Sequence, residues 1–297
     1  MSTRLPPQQA QPQGSPGTPF PPQQAQLQGS PGTPLQRAFQ ALRTSGRKGV
    51  VPYITAGDPE LETTYELLLA AARGGASAIE LGVPFSDPMA DGPVIQRACE
   101  RALARGLKLQ DVLDVGRRAA AATEVPIVLF SYPNPLLRRG LDTLAQDAAE
   151  AGLAGVLVTD LPAETAQGFS QALARRGLDL VSLVAPTSTE QRIAQIAQHA
   201  TGFLYAISVM GVTGARQQLS AEAGALLERI RRVTQLPVAV GFGVSSAEQA
   251  RQAWAQGADA VVVGSAIVRK IEEFGTEAPA EVERFVRELV AAQAVEA

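Results

Sequence analysis

Glu80 and Asp91 stand at either end of Glu80-Leu-Gly-Val-Pro-Phe-Ser-Asp-Pro-Met-Ala-Asp-Gly92, a loop that leaves an apolar run. Gly82, Pro84, Pro88 and Gly92 fix the backbone between the two acids. A loop of this build can aim two carboxylates into one pocket, the arrangement that general acid–base chemistry needs. Taken singly, Glu80 could be a strand-end carboxylate facing a cation, and Asp91 could cap a helix opening near Pro93. Their spacing differs from the acidic scatter of a solvated helix face, and it is the strongest chemical signal in the chain.

A second group of residues is small and backbone-exposing. Gly241-Phe-Gly-Val-Ser245, Gly264-Ser265 and Gly211-Val-Thr-Gly214 all follow apolar runs. Small residues let a ligand approach backbone N–H groups, and Gly264-Ser265 opens a helix whose N-terminus carries partial positive charge. Gly-x-Gly alone is weak, because tight turns need glycine for steric reasons. The three motifs together describe a phosphate cradle. Two further acids read as local structure. Asp160, before Leu-Pro, is expected in a turn or cap, and Asp58 in Gly-Asp-Pro59 is expected to cap a helix with Pro59 in its first turn.

The elements that must hold these groups follow from hydrophobic periodicity. From residue 50 onward, short apolar β-branched runs alternate with longer segments of helical period, which predicts parallel strands with crossover helices. Eight strands are expected, at Val50–Thr55, Ala78–Leu81, Ile127–Ser131, Gly155–Thr159, Asp179–Val184, Gly202–Ile207, Val238–Gly241 and Ala258–Val263. Eight such units in one chain are what a closed (β/α)8 TIM barrel requires. An open doubly wound sheet competes, but the first strand leads to GDPE rather than Gly-x-Gly-x-x-Gly. Two additional helices are expected, Leu35–Thr44 at the N-terminal end and Ala280–Ala294 at the C-terminal end. In such a barrel the chemistry gathers at the C-terminal ends of the strands, where Glu80, Asp91 and the glycine motifs fall.

Composition excludes several functions. One Cys and one His in 297 residues cannot build the N/S-ligand clusters of zinc sites. Cys99 is expected as a small apolar residue on a helix, and His199 as a helix-end residue. A net charge of −3 with interspersed signs offers no basic stripe for nucleic acid. No stretch reaches the roughly 20 apolar residues that would span a membrane, so no membrane association is expected and the protein should be cytoplasmic. Residues 1–34 are a separate matter. Pro6–Phe20 recurs as Pro21–Leu35, differing only at Pro12/Leu27 and Phe20/Leu35. A Pro/Gln-rich stretch with so few aliphatic residues cannot offset ordering entropy and is expected to be a disordered tail. The catalytic domain would then be residues 35–297, and deleting residues 1–34 is expected to leave stability and rate nearly unchanged.

Tyr53-Ile-Thr-Ala-Gly-Asp-Pro59, the Glu80–Pro93 segment, Gly211-Val-Thr-Gly-Ala-Arg216, Gly241-Phe-Gly-Val-Ser245 and Gly264-Ser-Ala-Ile-Val268 closely resemble the tryptophan synthase α subunit, in order, from about Leu35 to the C-terminus. Thr159 stands where that family often has Pro, Met210 where Thr or Ala is usual, and Ser220 where Pro is common. The resemblance implies retro-aldol cleavage of indole-3-glycerol phosphate to indole and D-glyceraldehyde 3-phosphate, with no cofactor on this chain. It implies Glu80 and Asp91 as catalytic acids. It also implies Tyr53, Tyr132 and Tyr205 about the indole ring, with Phe242 as a further wall. Thr213 would lie on a lid, and Gly214, Gly243, Gly264 and Ser265 would hold the phosphate. The apolar flanks Ile79, Leu81 and Val83 suggest a desolvated Glu80 with a raised pKa. The implied partner is a pyridoxal-phosphate β subunit that receives indole within an α2β2 heterotetramer. A stand-alone indole-releasing lyase and a non-catalytic scaffold that activates a β subunit remain as alternatives.

Overall fold

The computed structural model describes residues 32–207, 216–241 and 243–295. Most of the tandem-duplicated segment therefore lies outside the described residues. The order of elements is α1 (Pro34–Thr44), β1 (Gly49–Thr55), α2 (Leu61–Arg73), β2 (Ile79–Gly82), α3 (Pro93–Ala104), α4 (Leu109–Ala122), β3 (Ile127–Ser131), α5 (Pro133–Arg139), α6 (Leu141–Glu150), β4 (Gly155–Val158) and α7 (Ala163–Ala174). It continues through β5 (Asp179–Val184), α8 (Glu190–His199), β6 (Leu204–Ile207), α9 (Arg216–Val233), β7 (Val238–Gly241), α10 (Ala247–Ala255), β8 (Ala260–Val263), α11 (Ser265–Phe274) and α12 (Ala278–Ala291). The strands close in sequence order into an eight-stranded parallel barrel, with β1 paired to both β2 and β8.

Each strand alternates between two packed layers, as the period of two demands. Val50 and Ile54, Ile79 and Leu81, and Val156 and Val158 face the outer helices and join one apolar cluster. Val51 and Tyr53, Val128 and Phe130, and Leu157 and Phe203 fill the barrel interior in a second. The interior is closed from below by α1, whose Leu35, Phe39 and Leu42 belong to that second cluster, with Phe39 and Phe203 ring centroids 5.0 Å apart. A capping box between Thr33 and Gln36 starts this helix. The half-turn is tied down by Asp179, which accepts from the Thr33 hydroxyl and from Gln36 Nε2.

At the other end of the chain, α12 lies across α2. A Cβ on Gly74 would stand 2.8 Å from Val286 Cβ and 2.9 Å from the Glu283 carbonyl, so glycine is what allows the approach. Arg73 and Glu283 form an ion pair beside it, at 2.8 Å. Among the described residues, no helix is long and apolar enough to cross a membrane.

The expected strands are all present, with shifts at their ends. β6 begins at Leu204 rather than Gly202, because Gly202 turns the chain at φ +70°. β8 begins at Ala260, although the Asp259 backbone still bonds to Val238 at 2.9 Å and to Gly49 at 2.8 Å, and its side chain accepts from the Val238 amide and Arg231. β2 runs one residue further, to Gly82, and β4 stops at Val158. Cys99 is buried on α3, and His199 is the last residue of α8.

Candidate active site

Glu80 sits on β2 in register with Tyr53 of β1 and Val128 of β3, on the inward face of the barrel. Its side chain is fully buried, and neither carboxylate oxygen has a hydrogen-bond partner. An unpaired charge in such surroundings is strongly disfavoured. Burial alone therefore pushes its pKa from the ordinary 4.5 to about 8, and near neutral pH Glu80 holds its proton.

Asp91 is placed differently. It lies on the loop between β2 and α3, half-buried, where Gln96 Nε2 donates to its carbonyl at 2.9 Å and its own amide donates to Pro88 O at 3.0 Å. The Tyr132 hydroxyl donates to Asp91 Oδ2 at 3.0 Å and accepts from the Ala90 amide at 2.9 Å. Its ring stacks on Phe85 at 4.9 Å. Burial raises the Asp91 pKa to about 6, the Tyr132 hydrogen bond opposes the rise, and the charge of Asp160 adds to it. Two carboxyls facing one chamber thus differ in protonation at neutral pH, the arrangement that separates an acid from an acceptor.

Three aromatic side chains wall the same chamber. Tyr53 meets Phe130 edge to face at 5.1 Å. A Cβ on Gly82 would stand 2.3 Å from the Tyr53 hydroxyl, and one on Gly241 would stand 2.2 Å from that of Tyr205. Both phenols thus lie flat across a neighbouring strand at a position only glycine leaves open. The Tyr205 phenol is held well above its ordinary pKa by burial, then by the charges of Glu80 and Asp91, so all three groups share one space.

Gly264-Ser265 and the described part of the Gly241–Ser245 motif follow β8 and β7, at the same end of the barrel as Glu80 and Asp91. Gly264 is the residue before α11, and Ser265 is its first residue. The N–H groups of a helix's first turn have no partner within the helix and are where an anion can be held. Gly264 borders the acid chamber, since a Cβ there would lie 3.6 Å from Tyr53 Cβ. Gly243, exposed at φ +68°, is in the left-handed region that favours glycine. Thr213 and Gly214 lie outside the described residues, as do Gly211, Met210 and Phe242.

One local alternative falls away, one expectation needs correction and one boundary is sharpened. Asp91 does not cap α3: Gly92 precedes Pro93 and no side chain caps that helix. Asp58 does not cap α2, which begins two residues later than Pro59 and follows Glu60. Instead Asp58 is buried against Arg101 in a bidentate pair, at 2.8 Å to each oxygen, and Arg101 reaches on to Glu272 at 3.0 Å. The chain between β1 and α2 is thereby tied to α3 and α11. The boundary drawn after residue 34 lies inside the described structure, because Thr33 caps α1 and Pro34 is its first residue. Asp160 stands in a turn at φ 49°, with Pro162 before α7.

Residue types alone did not disclose Phe85 beneath Tyr132, the glycines under Tyr53 and Tyr205, or Thr159. Thr159 is 1% exposed with no partner for its hydroxyl oxygen. Strand register is the signal that finds the last three, since Gly82 and Gly241 end their strands at inward positions and Thr159 is the next inward position after β4.

The tryptophan synthase alpha chain family model matches residues 39–296. A tryptophan synthase alpha chain from Synechococcus elongatus is 50% identical over 257 residues, covering 86% of this chain and 97% of that one. One from Solibacter usitatus is 50% identical over 255 residues, covering 85% and 95%. The solved tryptophan synthase A-subunit from Pyrococcus furiosus superposes with a TM-score of 0.77 at 40% identity, covering 82% of this chain and 98% of that one. A chain of the tryptophan synthase complex from the same organism gives 0.76 at 39% identity, with the same coverage.

Proposed function

Because this chain belongs to the tryptophan synthase alpha chain family, we propose that Glu80 and Asp91 divide the proton work of its reaction between them. That reaction is the cleavage of indole-3-glycerol phosphate to indole and D-glyceraldehyde 3-phosphate, a carbon–carbon lyase step in tryptophan biosynthesis. The bond to indole C3 cannot break until the ring can accept the electron pair. Glu80, protonated, gives its proton to C3, and the ring becomes an indolenium cation. Asp91, ionised, accepts the indole N–H and stabilises that positive charge. Glu80, now a carboxylate, takes the proton from the glycerol hydroxyl beside the scissile bond. The carbon that bears that hydroxyl becomes the aldehyde, the bonding pair returns to the ring, and the Glu80 proton is restored.

The observation that carries this reading is the fully buried Glu80 with both oxygens unpaired and its pKa raised to about 8. A group that serves first as acid and then as base works best near the operating pH. Tyr132 holds Asp91 in place, while Tyr53 and Tyr205 flank the ring. The amides of Gly214, Gly243, Gly264 and Ser265 take the phosphate, and Thr213 hydrogen-bonds Asp91 when the lid closes. Indole is apolar and escapes easily, so the product passes to a pyridoxal-phosphate β subunit in a cytoplasmic α2β2 assembly. The solved complex from Pyrococcus furiosus supports a partner.

The test is indole release by the purified chain, alone and with a β subunit, beside Glu80→Gln. Slow release that rises with the partner and vanishes in the variant is expected. Undiminished turnover in Glu80→Gln would remove the reading, and brisk release unaffected by the partner would replace it with a stand-alone lyase.

A further inference from the structure

Thr159 is the first residue beyond β4, and its position follows from the strand. Leu157 packs in the barrel interior and Val158 in the outer layer, so Thr159 returns to the interior. Its amide donates to the Ser131 carbonyl at 3.0 Å, which continues the β3–β4 ladder by one residue beyond the Ser131–Val158 pair. That register sets Thr159 beside Tyr132, and the β4–β5 register sets Leu183 on its other side. The hydroxyl is buried and has no hydrogen-bond partner, and its register neighbours are Tyr132 and Leu183. Glu80 is the other interior side chain in that condition among the described residues. A buried hydroxyl without a partner is disfavoured unless a ligand supplies one.

The placement of the substrate says which part of it meets Thr159, and here the inference rests on the function proposed above. In the closed order β1 to β8, β4 lies across the barrel from β8. The phosphate end is at β7 and β8, and the two acids at β2 engage C3 and the N–H of the five-membered ring. The remaining edge of the indole, its benzene ring, then points away from the phosphate toward β3, β4 and β5.

We propose that Thr159 is a specificity-determining residue whose hydroxyl hydrogen-bonds a polar substituent on the benzene edge, so that the site accepts ring-hydroxylated or ring-aminated indoles and their glycerol phosphates. An unsubstituted indole leaves the hydroxyl unpaired, and a methyl group at the same carbon fills the space without satisfying it.

The reaction run in reverse provides the assay, with indoles hydroxylated or methylated at each benzene-ring carbon in turn condensed with glyceraldehyde 3-phosphate. The wild-type chain should prefer the hydroxyl to the matched methyl at one or more carbons. Thr159→Val, which keeps the shape and removes the donor, should reduce that kcat/KM ratio by about tenfold, the worth of one buried hydrogen bond. Thr159→Ser, which keeps the hydroxyl, should retain it. Ratios unchanged in Thr159→Val, or no hydroxyl preference at any carbon in the wild type, would overturn the role of Thr159 while leaving the lyase reading intact. Failure of the wild type to condense indole itself would overturn both.

Discussion

Replacing Glu80 with glutamine should stabilise the fold, and by an amount that grows with pH. Glu80 is held neutral in the folded state up to about 8, whereas in the unfolded chain it ionises near 4.5. Below the lower value both states are protonated and no difference arises. Between the two, the unfolded state gains the favourable ionisation that the folded state is denied, so stability falls as pH rises. Above the upper value both are ionised and the loss levels off. Linkage of this kind gives about 1.4 kcal/mol per pH unit, hence roughly 3 kcal/mol at neutral pH and about 5 kcal/mol once the plateau is reached. The neutral carboxyl and the carboxamide are nearly the same shape, and each leaves polar atoms unpaired, so at low pH the two proteins should be alike. The assay is urea denaturation of both at about pH 5, pH 7 and pH 9, with the difference in unfolding free energy as the readout. A difference that does not widen with pH, or a glutamine variant that is less stable throughout, would refute the burial argument. The trade is a familiar one, since a strained acid at a working site lowers stability.

Three other outcomes follow from the geometry. Tyr132→Phe removes the hydroxyl that donates to Asp91. That bond lowers the Asp91 pKa, so the acidic limb of kcat/KM should move to higher pH, with turnover at neutral pH falling about tenfold. Gly241→Ala places a methyl 2.2 Å from the Tyr205 hydroxyl; displacing that phenol should cost about 1–3 kcal/mol in thermal or chemical denaturation and weaken substrate binding. Deletion of residues 1–30 and of residues 1–34 should differ, because only the second removes Thr33, which caps α1 and donates to Asp179. Loss of that cap is worth about 1 kcal/mol, read as a lower melting temperature of the shorter chain.

How much could be read from the residues depended on the range of the interaction. The barrel was legible because eight apolar runs with β-branched residues, each followed by a helical period, leave few other topologies. Glu80 and Asp91 were legible because their loop carries its own stiffening residues. What stayed hidden depends on contacts between segments distant in the chain. Asp58 reads as a cap from its neighbours Gly57 and Pro59, yet Arg101, 43 positions later, takes both its oxygens. Tyr132 reads as a ring against a ring, yet its hydroxyl reaches back across 41 positions to Asp91. Gly82 and Gly241 look like ordinary turn residues until strand register lays a tyrosine across each. The unequal pKa values of the two acids likewise arise from how each is enclosed: Glu80 has burial alone, and Asp91 has burial opposed by a hydrogen bond.

The central claim is that Glu80 enters the reaction protonated and Asp91 ionised, and the pH dependence of kcat/KM for indole-3-glycerol phosphate cleavage tests it most directly. The predicted profile is bell-shaped, rising through about 6 as Asp91 ionises and falling through about 8 as Glu80 loses its proton. A rate that keeps rising, or stays flat, well above the upper value would mean that no buried acid delivers the proton to C3, and would contradict the account.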